Sequence, residues 1–307
     1  RQAAVAGREV TLPPMHSPPA VGPRRLRSGT EQQVALWAEL LRETQSHSLV
    51  EARAGTGKSS TAREGQWRLI EANPTVQIRY AVFNKQNAVE FQADCPPGVD
   101  VGTVHSFGYQ VLQRSCRSSI EKLKTYLILD EFPEGRRLPK YLRRVVSILV
   151  GHAKNQALTP DQPDLLQQLK DLLLHFDVNS YGREDWAAEL AARVLRRSAE
   201  WTELVDFDDM IWLPGIHRLE FPHCDILFLD EVQDWNPAQH RLIPQLCRSG
   251  RVVALGDRYQ SIYAFRGADA DSIPRLERTL GEGPEGVTQL PLTVTWRCPA
   301  SHVRLAQ

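Results

Sequence analysis

The sequence has no excess of either charge: 37 Lys and Arg balance 37 Asp and Glu over 307 residues. Any surface that holds a polyanion must therefore be local rather than a property of the whole chain. Cysteine is scarce. The five, Cys95, Cys116, Cys224, Cys247 and Cys298, are odd in number, far apart and without a C-x-x-C pair. That pattern fits reduced, buried thiols in a cytosolic protein better than a disulfide framework or a zinc site. No apolar run approaches the roughly 18 residues of a membrane-spanning helix, so no membrane partner is expected. No internal repeat is present. Residues 1–29 are Pro-rich, start on Arg1, carry Arg24, Arg25 and Arg27, and hold one acid, Glu9. They read as a disordered leader, and their shortage of acids also fits an organellar transit peptide. Otherwise the expected location is the cytoplasm, at the nucleoid in a bacterium.

What is present is a phosphate-binding loop. Residues 51–60 read EARAGTGKSS, with Ala52, Gly57, Lys58 and Ser59 at the spacing of a loop that begins on a small residue and ends Gly-Lys-Ser. Gly55 and Gly57 have no Cβ, so the backbone from Ala54 through Thr56 to Ser60 can turn its N–H groups onto phosphate oxygens. Lys58 is placed for the β- and γ-phosphates and Ser59 for Mg²⁺. The loop follows a strand candidate, Ser48–Glu51, and opens a helix over 58–71 whose N-terminus faces the anion. ATP and Mg²⁺ are the expected cofactors.

From 48 to 115 short apolar runs alternate with helical stretches: strands at Ser48–Glu51, Gln77–Phe83 and Val99–His105, helices near 58–71, 85–93 and 106–115. This predicts an α/β fold with a parallel sheet. A helical insertion follows, with Leu165, Leu169, Leu172, Leu173 and Phe176, and then Trp186, Leu190 and Val194, at helical spacing. Strand patterns return at Asp225–Asp230 and Arg251–Gly256, with a helix from about Pro237. A last strand candidate is Gln289–Trp296, beyond the Gly-rich stretch 281–286. Two strand-like runs end in Asp-Glu, where Asp would hold Mg²⁺ and Glu would activate water. They are YLILDEF at 126–132 and DILFLDEVQDW at 225–235. The second is favoured, because it continues into a richer acidic box beside a further strand.

Taken in order, these stretches resemble the boxes of superfamily 1 helicases of the UvrD/Rep type. DEVQD (230–234) resembles the DE-x-QD box, and Thr30-Glu31-Gln32 the adenine-reading Gln motif. AVFNKQNAVEF (81–91) is similar to a box that reads F-T-N-K-A-A-x-E-M. TVHSFG (103–108) is similar to T-x-H-S-F, DFDDM (206–210) to D-F-D-D-L, and GDRYQSIYAFRGA (256–268) to G-D-x-x-Q-S-I-Y-x-F-R-G-A. LTVTWRCP (292–299) stands where the family has N-Y-R-S, with Trp296 in place of Tyr.

The resemblance implies a RecA-like P-loop sheet with a helical insertion domain, and a motor that couples ATP hydrolysis to movement on DNA. It implies Glu231 as general base and Asp230 with Ser59 on Mg²⁺. Gln260 would contact the γ-phosphate, Arg297 would stabilise its charge, and Gln32 and Trp296 would hold adenine. Phe83, Asn84, Thr103, His105, Tyr263, Phe265 and Arg266 would line the groove for single-stranded DNA or a single-to-double-strand junction. Core packing is the alternative for each of these, and Arg266 could instead pair with Asp234. The expected organisation is leader 1–29, first lobe 30–115 and 201–280, helical insertion 116–200, and 281–307 as linker and start of a second lobe from a longer chain. By itself the 307-residue span is expected to hydrolyse ATP slowly and to separate strands negligibly. Two other classes are kept: a P-loop ATPase with no nucleic-acid role, and a decayed module that binds ATP or DNA without turnover.

Overall fold

In chain order the first elements are α1 (Glu31–Leu40), β1 (His47–Ala52), α2 (Lys58–Ala72), β2 (Ile78–Val82), α3 (Lys85–Asp94), β3 (Asp100–Thr103) and α4 (Val104–Cys116). After the short β4 (Ser119–Ile120) comes a helical block of α5 (Lys124–Glu131), α6 (Pro133–Arg137), α7 (Lys140–Asn155), α8 (Leu165–His175) and α9 (Glu184–Glu200). It is closed by β5 (Leu204–Val205), which pairs with β4. The chain continues through α10 (Asp209–Ile216), β6 (Ile226–Leu229), α11 (Pro237–Leu246), β7 (Arg251–Gly256), α12 (Ser272–Gly281) and β8 (Val287–Leu292). The structure, a computed structural model, describes residues 26, 28–44, 46–260, 271–281 and 286–296.

Six strands form one parallel sheet in the order β3-β2-β6-β7-β1-β8. Parallel strands need crossover helices, which cover both faces, so the central strands read as unbroken apolar runs. All four residues of β6 and all six of β7 are buried. Along β6, Leu227 and Leu229 face α11 and α12 through Leu242, Ile243 and Leu276, while Phe228 turns to the side of Leu36, Trp37 and Leu69. The α/β class expected from the sequence is the class observed, and it is RecA-like. One consequence positions everything that follows. The carboxyl ends of β1, β2, β3, β6 and β7 all lie at one edge of the sheet.

Three strand expectations are corrected. Tyr126–Phe132 lies mostly within α5 rather than forming a strand, since a short apolar run alone does not separate the two. Its acids are spoken for: Asp130 pairs with Arg143 at 2.7 Å and Glu131 with Arg197 at 2.7 Å, both within the helical block. The run from Val99 ends as strand at Thr103, two residues short of His105, because the Thr103 hydroxyl accepts from the Ser106 N–H and caps α4. The last strand is Val287–Leu292 rather than Gln289–Trp296, and it pairs with β1 from His47↔Val287 to Ala52↔Leu292. It therefore completes the first sheet instead of opening another.

The helical block has its own core, where Leu165, Leu169, Leu173, Leu190 and Val194 are buried, with Leu172 and Trp186 packed against them. Helix α10 joins that core to the sheet. Its packing against α4 depends on Gly108, where an added Cβ would lie 1.7 Å from the Met210 carbonyl oxygen. Gly108→Ala is therefore expected to cost about 1–3 kcal/mol or more through forced separation of the helices. Denaturant titration checks this. A midpoint equal to that of the parent would mean that α4 and α10 do not meet this closely.

Candidate nucleotide and strand-binding site

Gly55 and Gly57 sit at φ 72° and 80°, the left-handed region that glycine enters without strain. Gly57 is the N-cap of α2, so Lys58 and Ser59 begin the helix and its unpaired N–H groups point into the loop. The Thr61 hydroxyl donates to the Gly57 carbonyl at 2.8 Å and accepts from Gln33 Nε2 at 2.8 Å, which seats α2 against α1. Residues 53–60 with Glu231 and Gln260 enclose a cavity of about 240 Å³.

The acidic box closes that cavity. With β7 standing between β1 and β6, Glu231 comes level with the loop, and Lys58 Nζ donates to its Oε2 at 2.5 Å. Glu231 has φ 50°, an unfavourable backbone for a residue with a Cβ, held here by contacts on both sides. Gln233 Nε2 donates to Glu231 Oε2 at 2.8 Å, and Gln233 Oε1 accepts the Asp257 N–H at 3.0 Å. Asp257 in turn accepts from Gln260 Nε2 at 2.5 Å. A continuous chain of polar contacts thus runs from the loop lysine to residue 260.

Asp230 lies behind this pair, accepting from the Tyr80 hydroxyl and from the Glu231 N–H, each at 3.0 Å. Burial, and then the Glu231 charge, push its carboxyl up to about 6. Asp234 is likewise pushed up to about 6, first by burial. Among the described residues its Oδ1 has no hydrogen-bond partner. Arg266, whose pairing with Asp234 is the alternative to a groove role, lies outside the described residues. Glu231 thus lines the loop cavity with Lys58, and Asp230 and Asp234 act on the pair from behind it. A hydroxyl and carboxylate oxygens are the donors that Mg²⁺ prefers, so Ser59 and Asp230 fit the ion.

At the start of α1, Gln32 is engaged with Thr293: its Oε1 accepts the Thr293 N–H at 2.8 Å and its Nε2 donates to Oγ1 at 3.0 Å. A base edge would have to replace that contact. The Trp296 backbone N–H donates to the Gly55 carbonyl at 2.9 Å, and the residue is 73% exposed rather than packed in a core. Arg297 lies outside the described residues, as do Tyr263, Phe265 and Arg266.

The remaining groove candidates come together. Phe83, Asn84, Thr103 and His105 line one cleft of about 1000 Å³ beyond the ends of β2 and β3. The Asn84 and Thr103 side chains cap α3 and α4, so two helix N-termini open on this cleft and favour phosphate there. Burial lowers the His105 pKa, which makes its ring a neutral hydrogen-bonding group. The sequence reading passed over Phe207. It lies inside DFDDM, a stretch whose likeness was noted without giving its ring a role, and it is 54% exposed in the same cleft.

A phosphate cradle, an acidic box and an apolar cleft on one edge of a parallel sheet define a RecA-like P-loop nucleotide-binding lobe. The chain belongs to the UvrD/REP helicase N-terminal domain family, whose model matches residues 32–280. It is similar to F-box DNA helicase protein 1 of Schizosaccharomyces pombe, 25% identical over 247 residues, covering 72% of this chain and 26% of the relative. ATP-dependent DNA helicase PcrA of Leuconostoc citreum is 24% identical, covering 78% of this chain and 34% of the relative. DNA helicase II of Salmonella typhimurium is 25% identical, with 78% and 35% covered. The chain thus spans 26% to 35% of the length of these three relatives.

Proposed function

We propose that this lobe binds Mg·ATP in the 53–60 cradle, holds single-stranded DNA in the cleft beside it, and couples hydrolysis to movement along the strand. The observation that carries the reading is the shared sheet edge, which holds the cradle closed by Lys58–Glu231 at the end of β1 and the cleft of Phe83, Asn84, Thr103 and His105 at the ends of β2 and β3. An ATPase without a nucleic-acid role would have no use for the second feature.

Lys58 would leave Glu231 for the β- and γ-phosphates, freeing the carboxylate to orient and deprotonate the attacking water. Ser59 and Asp230 would hold Mg²⁺, which neutralises charge developing on the phosphoryl oxygens. Gln260 would report the γ-phosphate to Asp257 and Gln233, which it meets through one chain of hydrogen bonds. Gln32 and Trp296 would take the adenine, and Arg297 would face the transferred group. Bases would stack on Phe83 and Phe207, extended by Tyr263 and Phe265, with Arg266 near the backbone. A second lobe, in cis from a longer chain, would close over the nucleotide, as the greater length of the relatives supports.

ATP turnover measured with and without single-stranded DNA tests the reading, and stimulation by DNA is the expected result. Turnover indifferent to DNA in a chain that binds ATP would favour the plain ATPase. Phe207→Ala is expected to weaken single-strand affinity by roughly 1–3 kcal/mol, the value of one stacked base. Affinity should also fall as salt rises, through counterion release. A folded variant with the parent's affinity would remove Phe207 from the strand path.

A further inference from the structure

The last turn of α7 reaches both halves of the site. Lys154, buried in that turn, pairs with Asp206 and Asp209 at 2.7 Å each and so fixes the turn that presents Phe207 to the cleft. The next residue, Asn155, ends α7. Its Nδ2 donates to Asp208 Oδ1 at 3.0 Å and to the Gly151 carbonyl at 2.9 Å, and its Oδ1 accepts from Asn236 Nδ2 at 2.7 Å. Asn236 caps α11 by accepting the Gln239 N–H. It is joined to Glu231 by a short, taut stretch. The Asp234 N–H donates to the Glu231 carbonyl at 3.0 Å, and the buried Trp235 indole donates to the Asp230 carbonyl at 3.1 Å.

We propose that Asn155 is a positioning residue that transmits the state of the nucleotide cradle to the strand cleft. This rests on the nucleotide reading above. The chemistry of the amide suits the task, because one planar group carries a donor for Asp208 and an acceptor for Asn236. Rotating it by half a turn would set oxygen against the Asp208 carboxylate and NH₂ against NH₂, so the bridge has a single sense. When phosphate draws Lys58 away, Glu231 loses one of the contacts holding it at φ 50°. The box then relaxes, Asn236 moves with it, and Asn155 carries the shift to Asp208 and hence to Phe207.

Amide hydrogen exchange on the 307-residue chain, with and without Mg·ADP, tests this. In the parent, Mg·ADP should slow exchange across residues 54–60 and change exchange at 206–210 by roughly 5-fold or more, the lower end of ordinary site-to-site coupling. Asn155→Leu removes the bonds to Asp208 and Asn236, together with the one to the Gly151 carbonyl. Asn236→Ser keeps a capping oxygen for α11 but gives up the donor to Asn155. Both variants should retain the response at 54–60 and lose that at 206–210. Should Asn155→Leu fail to fold, Asn236→Ser decides. Variants that respond as the parent does overturn the proposal, as does a parent protected at 54–60 but silent at 206–210. Faster exchange at 206–210 in nucleotide-free variants would show a merely structural tie and also overturn it. Absence of any response at 54–60 in the folded parent would instead refute the nucleotide reading, and this inference with it.

Discussion

In a chain that carries the second lobe, Glu231→Gln is expected to lower ATP turnover by roughly 10²–10⁴-fold, the ordinary worth of a general base, while nucleotide binding persists. The amide keeps the shape of the side chain and can still meet Gln233, but it cannot take a proton from water. It also cannot form the ion pair that Lys58 makes with Glu231 at 2.5 Å. Phosphate then has no carboxylate to displace, so affinity for ATP should stay level or rise. Equilibrium binding and single-turnover hydrolysis on the same preparation separate the two effects. Undiminished turnover would exclude Glu231 as the base. The Asp130-Glu131 pair could not replace it, because both carboxylates are tied to arginines on α7 and α9.

Asp209→Ala is expected to destabilise the fold by about 3–5 kcal/mol, the cost of leaving buried charge without its partner. Asp209 is buried and meets Lys124 Nζ at 2.8 Å and Lys154 Nζ at 2.7 Å. Burial opposes the charge on Lys154, yet Asp209 and Asp206 outweigh it and hold the ammonium above the ordinary lysine range. Burial likewise opposes charge on Asp209, and the two lysines outweigh it to hold the carboxyl below its ordinary range. Removing the carboxylate strands the buried Lys124 and leaves Lys154 with Asp206 alone. Against a typical total stability of about 5–15 kcal/mol, the variant should show a much lower denaturation midpoint. A change below about 1 kcal/mol would mean that water screens this cluster as it does surface pairs.

The cradle was legible because its demands are local. Gly55, Gly57, Lys58 and Ser59 act through backbone conformation and adjacent positions, which a ten-residue stretch displays in full. The strands β6 and β7 were legible because burial on both faces leaves the apolar runs Ile226–Leu229 and Val252–Leu255. Other features depend on partners distant in sequence. YLILDEF has the composition of a buried strand, and only Arg143 and Arg197 on neighbouring helices reveal it as a helix with paired acids. The strand at Val287–Leu292 joins β1 across some 240 residues of chain, and no local pattern announces which sheet it will enter. Asn155 and Lys154 look like an ordinary polar helix end until Asp206, Asp208 and Asn236 are placed around them.

Calorimetric titration of Mg·ATP into the folded chain and its Lys58→Ala variant, each with and without single-stranded DNA, tests the central claim most directly. The account expects saturable binding by the parent, an affinity or enthalpy that changes when DNA is present, and loss of binding in the variant. A folded parent that takes up no nucleotide, or one whose Lys58→Ala variant binds equally well with DNA making no difference, would contradict it.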